Sequence, residues 1–182
     1  VASFNVLNFF TTVVGGDPNP TGSNRGALTV AEFEKQRTKI VSAITRLNAD
    51  VVGLMEIENN GYGDNSAIAN LVAALNAAQP DETDHYAWVA SPDGQPIGTD
   101  AITVGLIYRP ASVTPEGAAS LIELPVQQAE AQDASGKPVA IKQGMRESLL
   151  QRFSSPKGDA PLTLVVNHLK SKGSACFEDY PD

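Results

Sequence analysis

The chain has 182 residues, of which 42% are hydrophobic and 19% are charged, an ordinary globular composition. Its formal net charge of −8 argues against a protein that coats nucleic acid through a basic surface. The charge leaves room for an enzyme that contacts a few phosphates with local cations. No apolar run approaches the ~20 residues of a membrane-spanning helix, so we expect one domain, or a large part of one, without a membrane span.

The first third of the sequence predicts a strand, a helix and a second strand. The opening VASFNVLN is typical of a strand and lacks the basic start of a signal peptide. Thr29 and Glu32 form a capping box, and the apolar stripe behind them predicts a helix that ends near Asn48. Residues 50–57, DVVGLMEI, are a short apolar run of strand length that ends in an acid.

The remaining sequence predicts a second helix and then strands in succession. This helix carries Ile68 and Leu75 on its apolar face and stops before Pro80. Helices followed by consecutive strands favour mixed or antiparallel sheets with helices on their outer faces. Strands are predicted at residues 85–91, 101–110, 145–155 and 161–169, with a polar, exposed excursion at residues 127–138.

The common phosphate-binding and zinc-binding motifs are absent from the sequence. It contains neither G-x-G-x-x-G nor G-x-x-x-x-G-K-[ST]. Two histidines and one cysteine cannot build a histidine or cysteine cluster for zinc. The single cysteine, Cys176, is either a free thiol or half of a disulfide whose partner lies beyond residue 182.

Three polar residues interrupt otherwise apolar strands and are the candidates for chemistry. They are Asn5 in SFNVLN, Glu56 in VVGLMEI and His168 in LVVNHLK. Each has a structural alternative: Asn5 can serve a strand edge, Glu56 can face solvent or pair with a lysine, and His168 can be a satisfied core residue. Lys170 and Lys172 follow His168, and two nearby cations favour a neutral imidazole and suit an anionic ligand.

The order of five segments resembles the endonuclease/exonuclease/phosphatase superfamily. Within it, the chain is most similar to the secreted bacterial nucleases and more distantly similar to deoxyribonuclease I. The resemblance spans residues 4–176, nearly the whole chain. The segments that carry it are SFNVLNFF, DVVGLMEIEN, GTDAITVGLIYRP, MRESLLQRF and VVNHLKSKGSAC.

The resemblance implies roles for the three interrupting residues. Glu56 matches the acid that binds the catalytic divalent cation, Mg²⁺ or Mn²⁺, with Ca²⁺ as a further option. Asn5 matches the first-strand amide beside that metal, which helps to place the scissile phosphate. His168 matches the active-site histidine that contacts the phosphate and assists proton transfer. A hard cation with oxygen ligands and several waters suits a phosphate substrate.

Four further residues take expected roles from the same resemblance. Arg146 in MRES matches a phosphate-contacting arginine of the deoxyribonuclease branch. Asp100 in GTDAI lies where that branch places polar residues that support catalysis. Lys170 and Lys172 are expected to contact backbone phosphates, and the alternative for both is a solvated strand end.

The sequence departs from the family pattern after residue 176. The family's D-x-N strand and its terminal S-D-H do not occur here. We therefore expect residues 1–182 to be the N-terminal portion of one domain, an incomplete form of the superfamily's four-layer α-β-β-α sandwich. The remaining half would be needed for a complete site, so the isolated segment is expected to bind metal weakly and to hydrolyse little.

The expected function is metal-dependent hydrolysis of phosphodiester bonds in DNA, or in RNA, with water as the nucleophile. The resemblance implies a secreted or periplasmic protein. Two alternatives remain open at this stage. One is a lipid phosphodiesterase or phosphatase of the same superfamily, and the other is a catalytically silent binding module that keeps the fold.

Overall fold

Two α-helices, a short 3-10 helix at Glu82–Asp84 and ten strands form the regular structure in a computed structural model that describes residues 1–12, 24–123, 127–132, 135–143, 146–158 and 160–169. The predicted mixed α/β content is confirmed. Helix α1 is Val30–Leu47 and helix α2 is Ala67–Ala77. The strands are β1 Ala2–Phe9, β2 Val51–Glu58, β3 Ala87–Trp88, β4 Ile102–Tyr108, β5 Thr114–Pro115, β6 Ser120–Ile122, β7 Gln127–Gln132, β8 Pro138–Gln143, β9 Ser148–Ser154 and β10 Leu162–Val166.

Helix α1 connects β1 to β2 and begins where the capping box predicts. The side chain of Thr29 accepts a hydrogen bond from the Glu32 backbone amide, and the Glu32 carboxylate accepts one from the Thr29 backbone amide. The chain leaves the helix through Asn48, which adopts a left-handed conformation at φ 46°. Phe33, Ile40 and Ile44 are buried on one side of the helix.

The first sheet has the strand order β1-β2-β4-β3. Strands β1 and β2 are parallel, whereas β4 runs antiparallel to both β2 and β3. Strand β2 therefore lies in the middle of the sheet with a neighbour on either side, and its residues 51–54 are buried. This central position explains its continuous apolar sequence, because side chains on both faces of a covered strand leave water.

Helices and the second sheet cover opposite faces of the first sheet. Gly105 lies opposite Leu54, and a Cβ at Gly105 would come within 2.9 Å of Ile68 in α2. Gly53 lies on the other face, where a Cβ would come within 3.1 Å of Val166 in β10. Both glycines thus allow close approach of the layer above them.

The second sheet is built around β9, which pairs antiparallel with β10, β5 and β6. Strands β7 and β8 form a separate antiparallel hairpin. The polar excursion predicted at residues 127–138 contains regular structure that the prediction did not include, because Gln127–Gln132 and Pro138–Gln143 are the two strands of this hairpin. Alanine and glutamine fill the alternating pattern of QQAEAQ, so the β-branched and aromatic signal of a strand is missing there.

Neither described helix is long and apolar enough to cross a membrane.

Candidate active site

Asn5 and Glu56 lie side by side because β1 and β2 pair in parallel. Asn5 is opposite Met55, the residue before Glu56. The Nδ2 of Asn5 donates a hydrogen bond of 2.8 Å to Oε1 of Glu56. Two of the polar residues singled out in the sequence are thus in direct contact.

The backbone around this contact departs from regular strand geometry. The register of β1 against β2 shifts between Asn5 and Phe9. Leu7, Asn8 and Glu56 have φ values of 55°, 51° and 65°. Each non-glycine residue in such a conformation costs on the order of 1–3 kcal/mol, and such residues cluster at functional sites.

The irregular backbone directs two main-chain donors toward these side chains. The amide of Asn8 donates to Oε2 of Glu56 at 3.2 Å, and the amide of Leu7 donates to Oδ1 of Asn5 at 2.8 Å. Each Glu56 oxygen therefore accepts one hydrogen bond, which fixes the carboxylate and leaves further acceptor capacity on both oxygens.

His168 reaches the same carboxylate from the second sheet, two residues after the end of β10. Its Nε2 lies 3.7 Å from Oε1 of Glu56, and the two side chains are 15% and 19% exposed. The preceding residue is held in place, because Ser148 Oγ of β9 and Asn167 Oδ1 are 2.6 Å apart in a hydrogen bond. The structure thus brings Asn5 of β1, Glu56 of β2 and His168 of the segment after β10 together.

The environment favours the neutral form of the His168 imidazole. Burial lowers its pKa, and the positive charge of Arg146 lowers it further. The negative charges of Glu56 and Asp100 act in the opposite direction without outweighing these two effects. The other ring nitrogen, Nδ1, is buried and has no hydrogen-bond partner among the residues that the structure describes. A neutral imidazole can accept a proton near neutral pH.

Asp100 and Arg146 form an ion pair beside His168. The Nε of Arg146 donates a hydrogen bond to Oδ2 of Asp100 at 2.9 Å, its Nη2 lies 2.8 Å from the same oxygen, and Nη2 of Arg25 lies 3.0 Å from Oδ1. Burial on its own raises the pKa of Asp100, but the hydrogen bond and charge of Arg146, with the charge of Arg25, bring it below the usual value. Asp100 is therefore an ionised anchor for two guanidinium groups, a role that suits positioning better than proton transfer.

The sequence reasoning missed Asn59, which holds the segment leading to Asp100. Its side chain is fully buried. Its Nδ2 donates to the carbonyls of Ile97 and Asp100 at 2.7 and 2.9 Å, and its Oδ1 accepts from the Ile97 amide at 2.9 Å. Only the amide directly after the acidic end of β2, in MEIEN, could have indicated this role.

Glu58 was also missed, and it fastens the segment after β1 to the end of β2. Its side chain is 1% exposed. Oε2 accepts from the Thr11 amide at 2.7 Å and from the Thr12 amide at 3.2 Å, while Oε1 accepts from the Thr12 hydroxyl at 2.5 Å. Asn60 adds a donor at 3.2 Å. A second acid two residues after Glu56 was the available signal, but alternation in a regular strand would have put both acids on one face.

Lys170, Lys172 and Cys176 lie outside the described residues. Among the residues that are described, no group of three or more histidine, cysteine, aspartate or glutamate side chains is arranged to hold a metal ion.

Neither a scan against protein-family models nor a search of curated proteins finds a match to this chain.

Proposed function

We propose that this chain belongs to a metal-dependent phosphodiesterase that cleaves nucleic acid with water as the nucleophile. The single observation that carries the proposal is that the side chains of Asn5 and His168 converge on the carboxylate of Glu56. Strained backbone at Glu56 and the guanidinium of Arg146 beside His168 support it, because strained residues cluster at functional sites and nearby positive charge stabilises the transition state of a phosphodiester.

The proposal includes the endonuclease/exonuclease/phosphatase superfamily and its secreted nuclease branch, with a four-layer α-β-β-α sandwich as the complete fold. A helix layer, a mixed sheet and a second sheet in that order support this architecture. Leu162 and Val165 of β10 are 41% and 40% exposed, which supports further structure covering this strand. Because no D-x-N follows His168 and no S-D-H occurs in the sequence, we propose that the complete site takes further residues from outside this chain.

The residues present fit a hard divalent cation. Glu56 offers two oxygens that each accept one hydrogen bond and retain room for a ligand. Mg²⁺ commonly binds through one or two carboxylates and keeps several waters, so a group of three acids is not required. Glu56, with Asn5 beside it, would hold Mg²⁺ or Mn²⁺, and the bound cation would neutralise the phosphodiester.

The remaining residues act on the phosphate and on protons. The neutral imidazole of His168 can hydrogen-bond a phosphate oxygen or take a proton. Arg146 is oriented by Asp100 through Nε and Nη2, and its Nη1 has no hydrogen-bond partner in the described part of the chain. This free edge of the guanidinium is suited to a non-bridging phosphate oxygen. Together the two side chains would stabilise negative charge that grows in the transition state.

A cleavage assay tests the proposal. The protein that carries this chain is incubated with plasmid DNA, RNA and sphingomyelin, with Mg²⁺ and then with EDTA. We expect metal-dependent cleavage of nucleic acid and a loss of at least about 100-fold in Glu56→Gln and in His168→Gln. His85→Gln is the matched control, because His85 is the other histidine and contacts the Gln79 carbonyl instead of the site.

Each outcome of this assay is decisive. Lipid turnover without nucleic-acid cleavage would select the lipid phosphodiesterase, and no turnover at all would favour a silent binding module. Equal activity of wild type and Glu56→Gln would contradict the assigned metal ligand.

A further inference from the structure

A groove of about 420 Å³ opens beside the candidate site, between β1 and the first half of α1. We call it the basic groove. Its surface is formed by Leu7 and Asn8, by Arg25, Gly26, Ala27 and Leu28, and by Glu32, Lys35, Gln36 and Lys39 of α1.

The basic groove is joined to the candidate site at two points, and a third contact joins its helix to β1. Asn8, which lines the groove, donates its amide to Glu56. Arg25 lines it and pairs with Asp100. Gln36 ties the helix to β1, because its Nε2 donates to the carbonyl of Leu7 at 2.6 Å. A polymer bound at Glu56 would therefore have a continuous, fixed surface along which to extend.

Two cations in this groove have no partner in the described part of the chain. Lys35 and Lys39 are exposed, and no ion pair or hydrogen bond of either side chain occurs among the described residues. They are four residues apart on α1, so their like charges face the same side about 6 Å apart along the axis. Such a pair destabilises a helix by a few tenths of a kcal/mol. In a chain of net charge −8, this local cluster is suited to attract an anion.

The one acid in the groove, Glu32, forms no ion pair with either lysine among the described residues and offsets only one of the positive charges. The carboxylate of Glu32 accepts hydrogen bonds from the amides of Leu28 and Thr29 at 3.0 and 3.2 Å, so it is used in the helix cap. With Arg25 already paired to Asp100, Lys35 and Lys39 are the cations left to meet a ligand.

The groove also has an apolar wall. Leu28 and Leu7 are 80% and 71% exposed, two of the most exposed large hydrophobic side chains described. A small inorganic anion would leave such a wall in water, whereas a nucleic-acid strand brings phosphates and apolar sugar and base faces together. Leucine side chains are among those that nucleic-acid-binding proteins place against base steps.

We propose that the basic groove binds the nucleic-acid strand that flanks the scissile phosphate, with Lys35 and Lys39 on its phosphates and Leu7 and Leu28 against its sugars and bases. The inference rests on the proposed function in one respect: that function places the scissile phosphate at Glu56, from which the bound strand extends into the groove. The binding itself does not depend on catalysis.

Fluorescence anisotropy with a labelled oligonucleotide in EDTA tests this inference, because no cleavage occurs there. In the double variant Lys35→Gln/Lys39→Gln we expect about tenfold weaker binding, by analogy with the loss of phosphate-contacting lysines. The slope of log affinity against log salt should fall by about 1.4 for single-stranded or 1.8 for duplex DNA, as two lost phosphate contacts predict. The variant Lys35→Arg/Lys39→Arg should bind like wild type.

The matched control removes two positive charges elsewhere. Arg46 lies in the last turn of α1, and both it and Lys157 are exposed. Arg46→Gln/Lys157→Gln should change the affinity less than about twofold, since neither residue lines the groove and charges that do not contact the strand are weakened by salt screening.

Four results would overturn the inference: no binding by wild type, equal losses in the two glutamine double variants, an unchanged salt slope, or equally tight displacement by polyglutamate. If wild type cleaves no diester but the lysine-dependent binding persists, the proposed function fails and the groove inference stands. If cleavage is found but the double variant binds normally, the function stands and the groove inference fails.

Discussion

Glu56 has the largest positive φ of the described non-glycine residues, at 65°. Alanine is usually more stabilising than glycine in a strand, but at this position we expect glycine to be the more stabilising of the two. Glu56→Gly and Glu56→Ala both remove the carboxylate, but only glycine adopts this conformation without strain. We expect Glu56→Gly to be more stable than Glu56→Ala by about 1 kcal/mol. Chemical denaturation measures the difference, and an equal or greater stability of the alanine variant would contradict the assigned backbone geometry.

The lowered pKa of His168 makes the free energy of unfolding depend on pH. The unfolded chain protonates this imidazole near pH 6.5, whereas the folded chain resists protonation to a lower pH. The stabilising effect is therefore complete above pH 6.5 and is lost as the pH falls through the lower pKa of the folded state.

We expect His168→Gln to lose less stability than wild type as the pH falls from 6.5 through the lowered pKa of the folded-state His168 imidazole. Denaturation midpoints recorded across this range provide the measurement. His85→Gln is the control, and the same pH profile in both variants would argue against a depressed pKa at His168.

Local sequence patterns located the three central residues, whereas the expectation that they meet came from the family resemblance alone. Asn5, Glu56 and His168 each stood out as a polar group in an apolar strand, which a sequence shows directly. That they meet depends on the parallel pairing of β1 with β2 and on the packing of β10 over the first sheet. Long-range pairing of this kind leaves no local signal. The buried roles of Glu58 and Asn59 were missed because a polar residue at the end of a strand usually faces solvent.

At the level of single elements, α1 was predictable because its start is encoded locally. The capping box, the apolar stripe and the Asn48 terminus all depend on neighbours within a few residues. The β7–β8 hairpin was not predicted. The alanine and glutamine residues of β7 have weak strand preference, so its pairing with β8 is what defines it as a strand. Helices and strands with strong local patterns were found, and those set by partners were not.

The capping box at the start of α1 gives a prediction for this element. Thr29→Ala removes the hydroxyl that accepts a hydrogen bond from the Glu32 amide. The substitution should lower the free energy of unfolding by about 1 kcal/mol. Thr29→Ser keeps the hydroxyl and should lose much less. Thermal or chemical denaturation compares the two, and equal effects would mean that the cap does not contribute. Because Gln36 links α1 to β1, the weakened helix start should also loosen the basic groove.

For the whole molecule, the contact between Gly53 and Val166 decides how closely the two sheets pack. A Cβ at Gly53 would lie 3.1 and 3.4 Å from the two methyl carbons of Val166. Gly53→Ala should therefore destabilise the fold by about 1–3 kcal/mol, although alanine would otherwise favour a strand over glycine.

A double-mutant cycle with Val166→Ala identifies the cause. If the two layers touch here, the double variant should be more stable than the sum of the single effects predicts, by about 0.5 kcal/mol or more. Additive effects would show that the cost of Gly53→Ala arises elsewhere. The sequence could not have predicted this spacing, because a glycine in a strand is equally typical of a bulge.

The buried carboxylate of Glu58 has a consequence for hydrogen exchange. The amide hydrogens of Thr11 and Thr12 donate to it rather than to water. In deuterated water these two amides should exchange more slowly than is usual for a segment beyond the end of a strand. The protection requires Glu58, which is 47 and 46 residues away in sequence, to be in its folded position. Deuterium uptake at Thr11 and Thr12 would thus report whether the segment after β1 has docked against the end of β2, before any substrate or ion is added.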